Sequence, residues 1–338
     1  GAAPTPSGTS QLALRYMGGG LIKAPDGRAY TTGALPTSTI PLQIGSTTSG
    51  FVPTISNGKL AIDAEGGALF RDGDAYITDE YGPNIYYVRD GQIAAVINPP
   101  ASAMPRATGG SLSYTVSSNG TSAVDPLSGR RSNQGMEAVA ITPDGKTMFA
   151  MLQSATMQDS VSGAANRQFT RLYKYDVSQS RSNPVLLAEY VVELPRFNDT
   201  KTDQTGLVPN KVAAQSEIVA MDNDRLLMLA RDGNGNGNSG VTPAVFKSVM
   251  LMDLSKGSPT NITSLDTTPN YSVISGTVSA SIVSGTATLT DTTAKLDPAI
   301  TQVNPIQFFS LISQSDLSKF GLNTNDGSTG TPLSLIHI

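Results

Sequence analysis

The stretch that decides the fold is Gly58-Lys-Leu-Ala-Ile-Asp-Ala-Glu-Gly-Gly-Ala-Leu-Phe-Arg-Asp-Gly-Asp-Ala-Tyr-Ile-Thr-Asp-Glu-Tyr-Gly-Pro83. An Asp-Gly pair, Asp72-Gly73, separates two short apolar runs, which is a typical signal of a β-hairpin turn. Four carboxylates lie near the open end of this predicted hairpin. They are Asp63, Glu65, Asp79 and Glu80.

The same pattern occurs twice more in the chain. When the segments beginning at Glu65, Glu137 and Glu217 are aligned on the glutamate, each has alanine three positions later and aspartate seven positions later. Each then continues into a second apolar run. This agreement across three segments indicates an internal repeat with spacings of 72 and 80 residues.

A further strand or strand pair is predicted after each hairpin, so the repeated unit has about four strands. Four-stranded units that recur along a chain are typical of β-propeller blades, here with long loop insertions. We therefore predict an all-β protein with a β-propeller fold. The predicted outer strands cover 85–89 with 92–97, 170–177 with 184–194, and 246–254.

The rest of the chain gives weaker predictions. Residues 1–15 are expected to be a disordered N-terminal segment, 16–332 a single propeller domain, and 333–338 a non-native tail. Residues 16–30 could be a fourth copy of the hairpin, 31–56 a loop, and 256–297 either a blade edge or a long insertion. Residues 308–320 are the one segment predicted to be a short helix.

Composition excludes several classes of function. Charged residues make up 15% of the 338, the net charge is −4 and the pI is about 5.1, and no cluster of lysine or arginine could follow a phosphate backbone. We therefore expect no nucleic acid partner. No apolar run reaches the roughly 20 residues of a membrane span, so no membrane partner is expected either.

The absence of certain side chains limits the chemistry. The sequence has no cysteine, and its one histidine is His337. Ser-His-Asp and Cys-His mechanisms and His-ligated or Cys-ligated zinc sites are therefore not expected. An enzyme built from this inventory would activate water with carboxylates and a metal ion.

The three repeated glutamates are the main candidates for a site. The first strand of a propeller blade lines the central channel, so Glu65, Glu137 and Glu217 are expected to converge there. Clustered carboxylates repel one another unless a cation neutralises them, and Ca²⁺ prefers such oxygen ligands. The alternative is that each glutamate only accepts a hydrogen bond at a turn.

A second candidate for calcium is the segment from Arg231 to Gly237. Asp232, Asn234 and Asn236 alternate as oxygen donors do in the first half of an EF-hand loop. Position twelve is Pro243, where an EF-hand has a bidentate glutamate. The segment is therefore either a shorter calcium loop or an ordinary Asn/Gly turn.

Other side chains near the strand ends could assist. Adjacent residues of a strand point to opposite sides, so only one of Asp79 and Glu80 can face the channel. Asp79 is favoured as the catalytic partner of the three glutamates, because it occupies the position of Arg231 in the repeat, and Glu80 is set aside. Tyr81, Arg131 and Arg231 are candidates for binding the substrate anion, while a solvated turn or surface arginines are the alternative.

These segments resemble a fungal and bacterial family known as phytase-like, or "esterase-like activity of phytase". The resemblance covers most of residues 45–325 and is carried by short motifs distributed along the chain. They include Thr78-Asp-Glu-Tyr-Gly-Pro83, Asn133-Gln-Gly-Met-Glu137, Gln215-Ser-Glu-Ile218, Ala230-Arg-Asp-Gly-Asn-Gly235 and Lys319-Phe-Gly-Leu322.

The resemblance implies a secreted β-propeller hydrolase with calcium-dependent activity on phosphate esters or a wider range of esters. Members continue past the last motif into a final strand, so we expect this chain to stop short of closing the propeller. Four Asn-x-Ser/Thr sequons, at Asn119, Asn198, Asn261 and Asn270, are compatible with a secreted glycoprotein.

Three functions remain open at this point. The favoured one is a monomeric, phytase-like ester hydrolase that acts on a small molecule with the help of Ca²⁺. The alternatives are a non-catalytic binding module with structural calcium and a lactonase-type metal propeller.

Overall fold

The structure is a computed structural model that describes residues 20–25, 27, 31–115, 126–161, 166–200, 205–234, 244–275, 279–281, 286–288, 294–313, 315–316 and 319. Every named secondary structure element in this part of the chain is a β-strand, which confirms the prediction of an all-β protein. The strands form several small sheets.

Three sheets contain the three repeats, and each has four antiparallel strands. In the first sheet the strands follow one another in chain order: β5 (Ala64–Leu69), β6 (Ala75–Asp79), β7 (Ile85–Arg89) and β8 (Gln92–Ile97). The second sheet has the same order: β9 (Met136–Ile141), β10 (Thr147–Leu152), β11 (Phe169–Asp176) and β12 (Val185–Glu193). The predicted four-strand unit is therefore present in both.

The third sheet departs from this pattern at its last strand. It begins with β15 (Ala214–Ala220), β16 (Arg225–Arg231) and β17 (Lys247–Asp253). Its fourth strand is β22 (Ile306–Ser310), which pairs with β17 after a long excursion of the chain. The prediction that a helix begins at Phe308 is wrong, because Phe308 and Phe309 belong to this strand.

The excursion between β17 and β22 shows that residues 256–297 are an insertion and not a blade edge. It contains two small ladders, formed by β18 (Ile274–Ser275) with β21 (Lys295–Leu296) and by β19 (Ser279–Ser281) with β20 (Thr286–Thr288). A further short ladder, β13 (Arg196–Phe197) with β14 (Lys211–Val212), lies between the second and third sheets in the chain.

Residues 31–56 form strands, and the prediction of a loop there is wrong. A fourth four-stranded sheet consists of β1 (Thr31–Thr32), β4 (Leu60–Ala61), β3 (Thr47–Thr54) and β2 (Ser38–Ile44), in that spatial order. The prolines in this stretch suggested a loop, but Pro41 lies on the edge strand β2, where a missing N–H is tolerated. Most of the predicted fourth copy at 16–30 lies outside the described residues.

Successive sheets pack against one another through their apolar faces. Val52 and Leu60 of the N-terminal sheet pack on Tyr86 and Val96 of the first sheet, and the opposite face of the first sheet packs on the second. The second sheet packs on the third through a cluster that includes Phe149 and Met228. The first strands β5, β9 and β15 are neighbours as a result, and this places the three glutamate positions side by side.

A buried arginine joins the second sheet to the insertion. Arg171 on β11 contacts the carboxylates of Asp159 at 2.7 Å, Glu189 at 2.8 Å and Asp266 at 2.8 Å, and all four side chains are almost completely buried. Removing one partner from such a network would leave charge buried without compensation. This network lies apart from the glutamates of the repeat.

Candidate functional site

A β-bulge lies at the start of the first hairpin in each of the three repeat sheets. In the second sheet Met136 pairs with Leu152 and Ala138 with Met151, so Glu137 is the extra residue. In the first sheet Glu65 and Gly66 together oppose one residue of β6, and in the third sheet Ser216 is the extra residue, directly before Glu217. Bulges redirect side chains and are common beside active sites.

The three bulges border one cavity of about 900 Å³. Because β5, β9 and β15 are adjacent, the side chains at their bulged ends open into the same space. The polar residues that line the cavity are Glu65, Glu80, Asn133, Glu137, Gln153, Ser216, Glu217 and Arg231. The three glutamates of the repeat therefore lie in one cavity, as the sequence alignment predicts.

Gln153 connects two of the buried carboxylates. Its side-chain Nε2 donates a hydrogen bond to Glu137 Oε2 at 2.8 Å and another to Glu80 Oε1 at 3.1 Å. Glu80 is 4% exposed and Glu137 is 1% exposed. A single neutral amide thus orients two acidic groups that would otherwise repel each other.

Arg231 and Ser216 lie on the third sheet's side of the cavity. Arg231 Nη2 is 3.6 Å from Glu137 Oε1, and its Nε donates to Ser216 Oγ at 3.0 Å. The carboxylate of Glu217 accepts a hydrogen bond from the Ile218 N–H at 2.8 Å. Arg231 is therefore positioned to contact an anion in the cavity while it pairs with Glu137.

A group of three carboxylates could hold a metal ion. Oxygen atoms of Asp63, Glu65 and Glu80 lie within 4.8 Å of one another, one from each residue. Asp63 and Glu80 face each other where β5 and β6 begin to separate, since the Glu80 N–H donates to the Asp63 carbonyl at 2.9 Å. Hard oxygen donors at this spacing suit a hard divalent cation.

The pKa values of the cavity glutamates reflect this crowding. Burial, reinforced by the carboxylates of Glu137, Glu65 and Asp63, raises the pKa of Glu80 to about 9. Burial and the Glu65 carboxylate raise the pKa of Glu137 to about 8, although Arg231 and Gln153 oppose the shift. Burial also raises the pKa of Glu217 to about 7. The site therefore favours either bound protons or a bound cation.

Asp79 does not line the cavity. Its Oδ1 accepts hydrogen bonds from the N–H groups of Asp63 at 3.1 Å and Tyr81 at 3.0 Å, and its Oδ2 accepts from the Tyr86 hydroxyl at 3.1 Å. Burial raises the pKa of Asp79 to about 7 despite these hydrogen bonds. Its carboxylate holds the end of β6 in place, on the opposite side of the strand from Glu80.

Tyr81 and Arg131 lie outside the lining of the cavity as well. The Tyr81 hydroxyl donates to the Gly33 carbonyl at 3.1 Å, and burial together with the nearby Asp63 carboxylate raises the pKa of Tyr81 to about 12. Arg131 hydrogen-bonds through Nη2 to Ser160 Oγ. Both side chains connect loops around the site.

The predicted calcium loop begins with an aspartate that is engaged by protein groups. Asp232 Oδ2 accepts from the N–H groups of Val245 at 2.5 Å and Phe246 at 2.9 Å, and Lys247 Nζ lies 3.3 Å from its Oδ1. Its Oδ1 also accepts from the Asn234 N–H at 3.2 Å. Both carboxylate oxygens of Asp232 are thus engaged by protein groups. Asn236 lies outside the described residues.

Asp63 and Gln153 are not among the site residues that the sequence predicts, and Glu80, which the sequence analysis sets aside, lines the cavity. Glu80 and Gln153 occupy equivalent places, since each donates its backbone N–H to the residue two positions before the repeated glutamate, Asp63 or Gly135. This equivalence of Glu80 and Gln153 is visible only when the repeats are aligned by their strand pairing, because equal spacing from the repeated glutamate does not align the two residues. Gly135 also lets the strands approach, because a Cβ there would lie 2.2 Å from the Glu80 carbonyl oxygen.

Comparison with known proteins finds a relative of similar sequence. A secreted, uncharacterized protein of Arthroderma benhamiae is 30% identical over 276 residues, which cover 78% of this chain and 49% of the relative. The chain therefore spans about half the length of that relative.

A solved structure, hydrazine synthase of Kuenenia stuttgartiensis, aligns with 13% identity and a TM-score of 0.22 over 72% of this chain and 66% of that chain. In the part of the chain that the structure describes, no helix has the length and apolar character of a bilayer span.

Residues 10–296 match the model of the family Phytase-like, described as "Esterase-like activity of phytase". The match covers most of the chain and includes the three sheets that surround the cavity, apart from the last strand of the third sheet. The chain belongs to the Phytase-like family.

Proposed function

We propose that this protein is a secreted, metal-dependent hydrolase of ester bonds that acts on phosphate esters, with Ca²⁺ as the metal. The observation that carries the proposal is the convergence of acidic side chains from neighbouring sheets on one cavity. Asp63, Glu65 and Glu80 are close enough to share an ion, and Glu137 and Glu217 line the same cavity.

The donor set supports a hard cation. All the groups are carboxylates, no sulfur or imidazole ligand lies among them, and Glu80 is buried with several acidic neighbours. Asp63, Glu65 and Glu80 would hold the ion, with Glu137 and Glu217 beside it. A bound divalent cation would supply positive charge that polarises a phosphoryl oxygen and offsets the repulsion among the carboxylates.

The protein groups have complementary tasks in this proposal. Arg231 would stabilise negative charge that develops on the phosphoryl oxygens during water attack. Glu137 or Glu217 would accept a proton from the attacking water, since both carboxylates line the cavity. Gln153 would keep Glu80 and Glu137 oriented.

We also propose that the stacked sheets are consecutive blades of a β-propeller. This is supported by the meander order of the sheets, by their face-to-face packing and by the adjacency of β5, β9 and β15. Such an arrangement would make the cavity part of the central channel. Secretion is supported by the secreted relative. Of the sequons in the described part of the chain, Asn270 is exposed, whereas the Nδ2 groups of Asn198 and Asn261 donate hydrogen bonds to the carbonyls of Val208 and Leu187.

The test is phosphate release from p-nitrophenyl phosphate by the chelated protein, before and after Ca²⁺ is restored. We expect activity only with the metal, and we expect Glu80→Gln to lose most of it. Glu193→Gln is the matched control, because Glu193 lies on the outer strand β12 and bonds to Gln302.

Activity that is insensitive to the chelator would contradict the proposal. A calcium-dependent rise in melting temperature without hydrolysis of any phosphate ester or lactone would support a non-catalytic binding module instead.

A further inference from the structure

The insertion between β17 and β22 is joined to the second sheet by one buried cluster of charged side chains. Arg171 on β11 and Glu189 on β12 come from the sheet, Asp159 comes from the loop after β10, and Asp266 comes from the insertion. Each of these side chains is at most 1% exposed. The charge balance within the cluster therefore affects how firmly the insertion is held.

The cluster contains three carboxylates and one guanidinium group. Asp159 forms a bidentate pair with that group, since its Oδ2 accepts from Arg171 Nε at 2.7 Å and its Oδ1 accepts from Nη2 at 3.1 Å. Asp159 thus neutralises the arginine by itself. If Glu189 and Asp266 were both ionised, they would add two uncompensated negative charges to the interior, which is costly.

Glu189 and Asp266 meet at one nitrogen atom. Glu189 Oε1 and Asp266 Oδ2 each accept a hydrogen bond from Arg171 Nη1 at 2.8 Å, and Asp266 Oδ2 also accepts from the Ser102 hydroxyl. Their other oxygens, Glu189 Oε2 and Asp266 Oδ1, are buried and have no hydrogen-bond partner in the described part of the chain. Two neighbouring carboxyl groups relieve their repulsion when they hold one proton between them.

The remaining titratable groups around the pair do not balance its charge. Tyr173 is the cross-strand partner of Glu189, Tyr175 follows on the same face of β11, and the Tyr271 ring of the insertion lies 5.5 Å from the Arg171 guanidinium carbon. Burial raises the pKa of all three tyrosines, so their hydroxyls stay neutral. Among the described residues, Arg171 is the one cationic side chain that forms ion pairs with the cluster's carboxylates.

The sign of the pH dependence follows from the position of Glu189. Burial raises its pKa to about 8, and the Asp266 carboxylate reinforces the shift, although Arg171 opposes it. The ordinary value is 4.5, so the folded state binds the proton more tightly than the unfolded state does. The resulting stabilisation is complete below about pH 4.5 and is lost as the pH rises through about 8.

We infer that Glu189 and Asp266 hold one proton between them, and that this proton fastens the insertion to the second sheet. Its loss at alkaline pH would leave two adjacent buried carboxylates, one on the sheet and one on the insertion, which repel each other. Two backbone groups report on the docking: the Ile262 N–H donates to the Glu189 carbonyl at 2.9 Å, and the Val273 N–H donates to Asp159 Oδ1 at 2.9 Å. The inference is independent of the proposed hydrolase activity.

Infrared difference spectroscopy tests for the proton. At pH 6 we expect the parent protein to show the carbonyl stretch of a protonated carboxylic acid that is lost in Glu189→Gln and also in Asp266→Asn. In the parent this band should disappear as the pH rises through about 8. Asp176→Asn is the control on the same strand as Arg171 and should keep the band, because hydrogen bonds with Ser178 lower the pKa of Asp176.

Hydrogen exchange tests the fastening. The protection of the Ile262 and Val273 amides, relative to the intrinsic exchange rate at each pH, should fall at least about tenfold between pH 6.5 and 9.5 in the parent. It should fall less in Glu189→Gln, because glutamine donates its hydrogen bond at either pH. The pH series on the parent does not depend on whether a variant folds.

Either measurement can overturn the inference. A spectrum of the parent with no such band that titrates near pH 8, or a band that persists in both Glu189→Gln and Asp266→Asn, would show that the pair holds no proton. Protection of Ile262 and Val273 that does not change with pH would show that the proton does not fasten the insertion.

Discussion

Gln153 connects two buried carboxylates of the acidic cavity. Its amide donates hydrogen bonds to both Glu80 and Glu137, and the Glu137 carboxylate helps burial to raise the pKa of Glu80. Replacing it by methionine keeps the length of the side chain but removes both hydrogen bonds.

We expect Gln153→Met to weaken calcium binding by about 10- to 100-fold, the usual effect of losing a residue that orients metal ligands. Calcium titration calorimetry measures this, with Gln43→Met as the control, since Gln43 is an exposed residue that donates to Thr48 within the N-terminal sheet. Equal affinity in Gln153→Met and the parent protein would contradict the role of Gln153.

Asp79 gives a second prediction, since its side chain faces backbone donors and not the cavity. Asp79→Ala would leave the N–H groups of Asp63 and Tyr81 without their acceptor. For the buried Tyr81 group this should lower the free energy of unfolding by about 1–3 kcal/mol. Asp79→Asn retains an acceptor oxygen and should keep most of the hydrolytic activity.

Urea unfolding and phosphate release together check this prediction. If Asp79→Asn remains folded but loses its activity, the assignment of Asp79 as a catalytic residue from the sequence stands.

The sequence predicts Glu65, Glu137, Glu217 and Arg231 as members of a shared site, and the structure brings all four to one cavity. The sequence favours Asp79 over Glu80 as a residue of the site, but the pairing of β5 with β6 decides which of the two faces the cavity, and the sequence does not show that pairing. The bulges and turns differ between the repeats, so equal spacing from the glutamate does not mean equal pairing. A shift of one residue moves a side chain to the other side of its strand.

At the scale of elements, the close approach of β5 and β9 depends on Gly66. A Cβ at this position would lie 2.6 Å from Thr78 Oγ1 and 2.8 Å from the Glu137 carbonyl oxygen. Gly66→Ala should therefore push the two first strands apart and lower the free energy of unfolding by about 1–3 kcal/mol.

Its neighbour provides a matched control, because a Cβ at Gly67 would meet nothing within 4 Å. Urea unfolding of both variants measures the difference, together with calcium affinity as a readout of the site. Equal stability of Gly66→Ala and Gly67→Ala would show that the packing of β5 on β9 does not depend on this glycine.

Some strands can be located from local sequence patterns alone. The strands β7 and β8 begin and end where the sequence predicts, because Asp90-Gly91 forms a tight turn with both residues at positive φ. The strand β22 could not be found in this way. Its partner β17 lies on the far side of the insertion, and pairing across that distance leaves no local signal.

At the scale of the whole molecule, the cavity glutamates link stability to pH. The pKa values of Glu80, Glu137 and Glu217 in the folded protein, about 9, 8 and 7, lie above the ordinary value of a glutamate. The folded state thus binds more protons than the unfolded state between about pH 4.5 and 9. Their contribution to stability is complete below this window and is lost as the pH rises through it.

We therefore expect the chelated protein to have a lower melting temperature at pH 8.5 than at pH 5.5, and we expect Ca²⁺ to remove much of that difference. Calcium stabilises the ionised carboxylates, so its effect should be larger at pH 8.5. Differential scanning calorimetry at both pH values, with and without chelator, measures it. A melting temperature of the chelated protein that does not fall with pH would contradict the raised pKa values.

We propose that Asp63, Glu65 and Glu80 of the first repeat hold one divalent cation, in the cavity that Glu137 and Glu217 of the neighbouring repeats also line. Calorimetric titration of the chelated protein with Ca²⁺ measures this binding, with Glu80→Gln and Glu193→Gln titrated alongside. We expect saturable binding in the parent protein and in Glu193→Gln, and binding weakened by at least about tenfold in Glu80→Gln. Absence of binding in the parent protein, or equal affinity in all three, would contradict it.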